Sequence, residues 1–136
     1  MSTMTHPHLL IQTGYVLCAL IAMAIIFLGS RFWMAPAGAS AEFGIAASPP
    51  LSRSFNAWLS VKGTRDVASG LFVILLMVNG TPHILGEFML AASLIAFGDM
   101  VTVLRSGGSK ALAFGMHGLT GVVIVATGVC LIVGAS

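Results

Sequence analysis

The sequence predicts an all-α membrane fold, an antiparallel bundle of four transmembrane helices, on three observations. The first is composition: of 136 residues, 57% are hydrophobic and 7% charged, where a soluble domain carries about a quarter charged residues. The second is the presence of four apolar runs, at about 9–28, 55–78, 83–104 and 111–133, each long enough to cross a hydrocarbon core about 30 Å thick. The third is the placement of the six Lys and Arg residues, which all fall toward one side once four spans are threaded. Residues 1–136 therefore form a single integral membrane domain. The net charge of +2 is too small to point to a nucleic acid partner.

The first span, about 9–28, carries Gln12 and Gly14 near its start. Ser30-Arg31-Phe32-Trp33 follows, a cation with aromatics of the kind found at headgroup level. Residues 30–53 form the long connection, rich in Ala, Gly, Ser and Pro. Pro36 and the Pro49-Pro50 pair interrupt any continuous helix there. Between them residues 37–48 are mildly apolar and include Glu42 and Phe43. This segment is expected to lie along the membrane surface or to fold over the mouth of the bundle, as a lid or as a linker. Asn79-Gly80-Thr81-Pro82 is a turn by composition, and Arg105 to Lys110 is a short polar loop. Cys18 and Cys130 sit inside apolar runs and read as small buried hydrophobes. The N-terminus lacks the basic residues of a leader, and Ala39-Ser40-Ala41 lies well past the first apolar run, so no cleavage is expected there.

Threading four spans places Arg31, Arg53, Lys62, Arg65, Arg105 and Lys110 toward one side and no Lys or Arg toward the other. The positive-inside rule puts the basic side in the cytoplasm and both termini outside an inner or plasma membrane.

The functional expectation centres on Lys62-Gly63-Thr64-Arg65-Asp66, at the head of the apolar run that extends to Val78. An Arg or Asp at mid-bilayer costs roughly 2.5–3.5 kcal/mol on insertion scales, which makes such residues candidates for function. At 1.5 Å rise per residue, Arg65 lies about 20 Å from Val78, Asp99 about 22 Å from Ile84, and His117 about 25 Å from Gly134. Antiparallel threading brings the three to one layer in the cytoplasmic half. Gly63, Asp66 and Gly70 share a stripe, Asp99 aligns with Ala92 and Ala96, and His117 with Gly121 and Gly128. Small residues mark helix contacts in membranes, so the ionisable groups are expected to face inward. Arg65 stands about 100° from Asp66 around the helix and is expected to reach Asp99 instead, with Lys62 reaching Asp66.

Asp66, Asp99, Arg65 and His117 are thus the candidate catalytic residues. A register-setting ion network remains the competing explanation of the cluster. Near the opposite side, His83 and Glu87 stand at i and i+4 on what reads as a solvated face. His6 and His8 lack a ligand spacing that would join them to His83 around a metal. His83 and His117 lie at opposite depths and cannot share a haem. No cofactor or metal is expected, and no nucleotide loop or nucleophile elbow is present.

Gly63-Thr64-Arg65-Asp66, Phe97-Gly98-Asp99 and Met116-His117-Gly118-Leu119-Thr120, in that order, resemble the small four-span integral membrane proteins of domain-of-unknown-function family 4267. In that family a Gly-x-Arg-Asp opens one span, a Gly-Asp lies late in the next, and a His begins the last. The resemblance covers roughly Phe55 to Val133. It implies the fold and the polar cluster, and no activity.

Two carboxylates in unlike surroundings can serve as general acid and general base. The expected function is a membrane-embedded acid/base enzyme acting on a lipophilic small molecule. Epoxide opening, by hydrolysis or cyclisation, or isomerisation without a redox cofactor fits these groups. Asp66 and Asp99 would share the acid and base roles, Arg65 would orient one carboxylate or stabilise developing negative charge, and His117 would relay a proton. A proton-coupled carrier, which would need a homodimer or larger assembly, and a structural subunit are the alternatives.

Overall fold

The computed structural model describes residues 5–136, with side chains from Pro7 onward, so that the expectation at His6 lies outside the described side chains. Every regular element among these residues is helical. They are α1 (Thr5–Met34), α2 (Pro36–Phe43), α3 (Arg53–Asn79), α4 (Pro82–Arg105) and α5 (Lys110–Gly134).

Local chemistry sets the ends of these helices. α1 continues past Ser30 until Pro36 makes a further turn impossible, and Arg31 in its last turn suits the negative end of the helix dipole. The interfacial Arg31-Phe32-Trp33 is therefore helical, and the connection begins later than the expected residue 30. Pro36 starts α2 in the one position where its missing N–H costs nothing. Gly44 ends α2 at φ 108°, a conformation that favours glycine, with its N–H on the carbonyls of Ser40 and Ala41. Ser52 caps α3, its Oγ accepting from the Phe55 N–H at 3.1 Å, and Thr81 caps α4 by accepting from Ile84 at 3.3 Å. α5 is not uniform. Residues Ala113–Gly118 form a π-helical turn between α-helical Lys110–Leu112 and Leu119–Gly134.

Three helices, Pro7–Met34, Pro82–Arg105 and Lys110–Gly134, are long and apolar enough to cross a membrane. α3 has the length without the composition, because every 18-residue stretch of it includes Lys62, Arg65 and Asp66.

Glycines set the close approaches. A Cβ on Gly63 would lie 2.7 Å from the Gly29 carbonyl, and one on Gly70 would lie 2.9 Å from the Ala22 carbonyl, so α1 and α3 pack backbone to backbone. Gly86 and Gly128 do the same for α4 and α5, where a Cβ on either would meet the other's carbonyl at 2.8 Å. α1 and α5 touch at the opposite end from Lys110, where Gly14 receives Leu131 and Gly134 receives Leu10 and Ile11. The main core joins Cys18 and Ala22 of α1 to Val73, Leu85, Met89 and Leu131. A second cluster, Phe32, Ala39 and Leu59 with Phe43, Leu51 and Phe55 against it, holds α2 to α1 and α3.

Candidate functional site

The stripe Gly63–Asp66–Gly70 faces α1, as the small residues predict, and it carries Asp66 inside, 4% exposed. One turn earlier on α3, Lys62 bonds Asp66 Oδ2 and places its Nζ 3.1 Å from Asp99 Oδ2. From the same helix Arg65 Nη2 donates to Asp99 Oδ1 at 3.0 Å, and its Nε stands 3.6 Å from Asp66 Oδ1. Two cations and two carboxylates therefore close a ring in which each cation touches both anions, with a formal charge of zero. Such balance offsets part of the cost of burying charge. One valence is left over: Asp66 Oδ1 is buried without a hydrogen-bond partner. Lys62 Nζ also sits 4.9 Å from the Phe43 ring centre and 5.4 Å from that of Phe32, close enough for cation–π attraction.

The ring borders a cavity of about 530 Å³ between α1, α3, α4 and α5. Lys62, Asp66, Asp99 and His117 line its polar end, with Arg31 and Glu42 beside them. Leu17, Ile21, Val73, Met89 and Ile124 line the apolar remainder. α2 folds across the polar end. His117 Nε2 donates to the Phe43 carbonyl at 2.9 Å, and the two rings pack with centres 4.7 Å apart. Arg31 forms a two-point pair with Glu42, in which Nη2 donates to Oε1 at 2.8 Å. That guanidinium holds the Glu42 carboxyl below the usual carboxylate range. Of the two expected placements of residues 37–48, the one over the bundle mouth is therefore the one found for α2.

Asp66, Asp99 and Arg65 meet in one network, and the expected Arg65–Asp99 and Lys62–Asp66 pairs are present. Two expectations need correction. Arg65 was expected not to meet its neighbour, yet its long side chain bends back to within 3.6 Å of Asp66 Oδ1. Arg65 also does not line the main cavity. It lies behind the ring, in a smaller pocket of about 240 Å³ with Trp58 and Thr102, and its side chain is half-exposed. His117 lines the main cavity but bonds α2 and neither carboxylate. Of the ring's two cations, Lys62 is the one that faces the cavity. Its i,i+4 spacing to Asp66 was legible, but its bond to Asp99 on another helix was not. Neither Phe43 nor the Arg31–Glu42 pair carries a motif that would have singled it out. His83 and Glu87 are exposed and 3.4 Å apart near the other end of α4. Among the described residues no three His, Cys, Asp or Glu side chains gather as metal ligands do.

An all-helical chain, with three helices apolar enough to span a bilayer and a buried ion ring at the end of an apolar cavity, fits an integral membrane protein. The model of one family, described as Domain of unknown function (DUF4267), matches residues 22–131, and the chain belongs to that family. The matched region holds all four members of the ring together with His117. No curated protein and no solved structure matches the chain.

Proposed function

We propose that this protein is a membrane-embedded acid/base enzyme that opens or isomerises a lipophilic small molecule, epoxide hydrolysis being the reaction its groups suit best. The observation that carries this reading is the lining of a cavity of ligand size by two carboxylates, Asp66 and Asp99, with Lys62 between them, where the buried Asp66 Oδ1 has no hydrogen-bond partner. A pair that served only to fix helix register would have its oxygens satisfied, as buried polar groups generally do. In the proposed reaction a water oxygen attacks an oxirane carbon while the Asp66 carboxylate takes the water proton. As the C–O bond breaks, the leaving oxygen receives a proton from the Lys62 ammonium, which Asp99 shares. The proton on Asp66 then returns to Lys62 through their existing contact, and the ring regains its starting charges. Arg65 holds Asp99 in place, and His117 positions Phe43 and α2 over the reacting end. Isomerisation would use the same base to remove a proton and the same acid to return one.

The reading includes four antiparallel spans, with α3 crossing beside its apolar neighbours, the basic residues on the cytoplasmic side and both termini outside. The zero net charge of the ring makes such a crossing affordable, and the one-sided distribution of all six basic residues supports the orientation.

The test is turnover of a lipophilic epoxide by the purified protein in detergent. Asp66→Asn and Asp99→Asn should each abolish turnover, with helicity and elution volume unchanged. Activity retained by both variants refutes the enzyme. Uptake into sealed vesicles without turnover in detergent would instead mark a carrier.

A further inference from the structure

We infer that the cavity admits an uncharged, single-chain amphiphile sideways from the bilayer, through a gap between α1 and the first half of α5, and holds its polar end at Asp66. The inference deepens the enzyme reading and rests on it for what happens to the bound molecule.

The gap follows from where the helices touch. α1 and α5 meet at Gly14–Leu131 and at Gly134–Ile11, both remote from His117, and α1 packs along Leu119–Gly134 but hardly reaches the π turn at Ala113–Gly118. The two helices therefore splay toward the polar end of the cavity. The residues along the splay are wall and outer surface at once. Leu20, Leu28 and Leu119 all line the cavity, yet they are 54%, 49% and 59% exposed. In a bilayer that surface meets acyl chains, so the gap connects the cavity to hydrocarbon. From Leu17 to Arg31 the wall formed by α1 is about 21 Å long at 1.5 Å per residue, which suits an extended chain better than a compact solute.

The polar end fixes the head chemistry. The ring has no net charge, so it offers no counter-ion to an anionic or cationic head. The carboxylates of the ring that line the cavity, Asp66 and Asp99, are acceptors, which calls for an O–H donor. That donor can be the hydroxyl of the guest itself, or a water bound beside an oxirane. A long-chain epoxide and its diol product meet these conditions, and a fatty acid does not.

The test uses the full chain in lipid nanodiscs with two photolabels, dodecanol and dodecanoate, each carrying a diazirine in its chain, and maps the modified residues by mass spectrometry. Dodecanol should label Met89 and Ile124 inside the cavity as well as Leu28 and Leu119 at the gap, and unlabelled dodecanol should compete. Dodecanoate should label the interior positions more weakly by at least about tenfold, equivalent to 1.4 kcal/mol. Asp66→Asn, which gives the ring a net positive charge, should narrow that difference. Leu28→Trp with Leu119→Trp should lower interior labelling by dodecanol while labelling of lipid-facing positions elsewhere persists. Equal interior labelling by dodecanoate in the unaltered protein overturns the neutral head, a result that does not depend on any variant folding. Interior labelling undiminished in the folded Trp variant overturns the sideways route. Absence of interior labelling overturns the inference even where a short epoxide is turned over, whereas labelling as expected with no epoxide turnover sinks the enzyme and leaves this inference standing.

Discussion

Replacing Lys62 by Met keeps most of the side chain's volume and removes the charge that joins the two carboxylates. Asp66, with its side chain only 6% exposed, would then retain Arg65 Nε at 3.6 Å as its nearest cation. The ring would carry a net negative charge in apolar surroundings. Removing one partner of a buried pair costs about 3–5 kcal/mol, because the other charge stays buried without compensation. Lys62 keeps some contact with solvent at 17% side-chain exposure, which argues for the lower end. About 3 kcal/mol corresponds to roughly a hundredfold shift of the unfolding equilibrium. The double variant Lys62→Met, Asp66→Leu supplies the contrast. It leaves the Arg65–Asp99 pair intact and buries no orphan charge, so it should be near the unaltered protein in stability or above it. The assay is reversible unfolding in mixed micelles, with both single variants measured to complete the cycle. A cost below about 1 kcal/mol for Lys62→Met, or the same cost in the Asp66→Leu background, would refute the ring as a coupled unit.

Helix packing gives a second expectation: Gly63→Val drives a side chain against the Gly29 carbonyl and should destabilise by about 1–3 kcal/mol, since backbone cannot step aside. Gly98→Ala, in open space on the next helix, should be neutral or stabilise by up to about 1 kcal/mol, and a comparable loss at both sites in the same unfolding assay would contradict this packing. For α2 the relevant variable is pH. The folded-state pKa of Glu42 is depressed by Arg31, so the pair contributes fully above the unfolded carboxylate value of about 4.3 and is lost as pH falls through the folded value. Amide exchange in α2 should therefore accelerate at acid pH relative to the rest of the chain, and Glu42→Gln should show the faster exchange already at neutral pH. His117→Phe removes the donor to the Phe43 carbonyl and should likewise speed exchange in α2, with little change in α4.

The helices were legible from the sequence because hydropathy and helix-breaking residues act locally. Pro36 and the Asn79–Pro82 turn mark breaks with no help from tertiary structure, whereas the caps at Gly44 and Ser52 and the short α2 between Pro36 and Gly44 were not read from the sequence. The inward turn of Asp66 was legible as well, since Gly63 and Gly70 on the same stripe can only be explained by a close neighbour. Arg65, Asp99 and His117 come to one end of the bundle from the rise per residue together with the alternating direction of the helices. Side-chain reach was not legible. Whether Arg65 or Lys62 points into the cavity depends on how α1 and α4 lie against α3, and both cations are long enough to take either place. The partner of His117 was hidden for another reason: Phe43 is 74 residues away and is brought there by a short helix that no periodicity marks.

The π turn at Ala113–Gly118 accommodates one residue more than an α-helical turn would. A residue added to a helix rotates everything beyond it by about 100° relative to what came before. Lys110–Leu112 before the turn and Leu119–Gly134 after it are thereby put out of the phase a regular helix would give them. The start of α5, where Leu112 lies beside Gly44, and the half that grips Gly86 can thus each hold its own orientation. A single deletion within Ala113–Gly118 would force one of these orientations to be given up for the other.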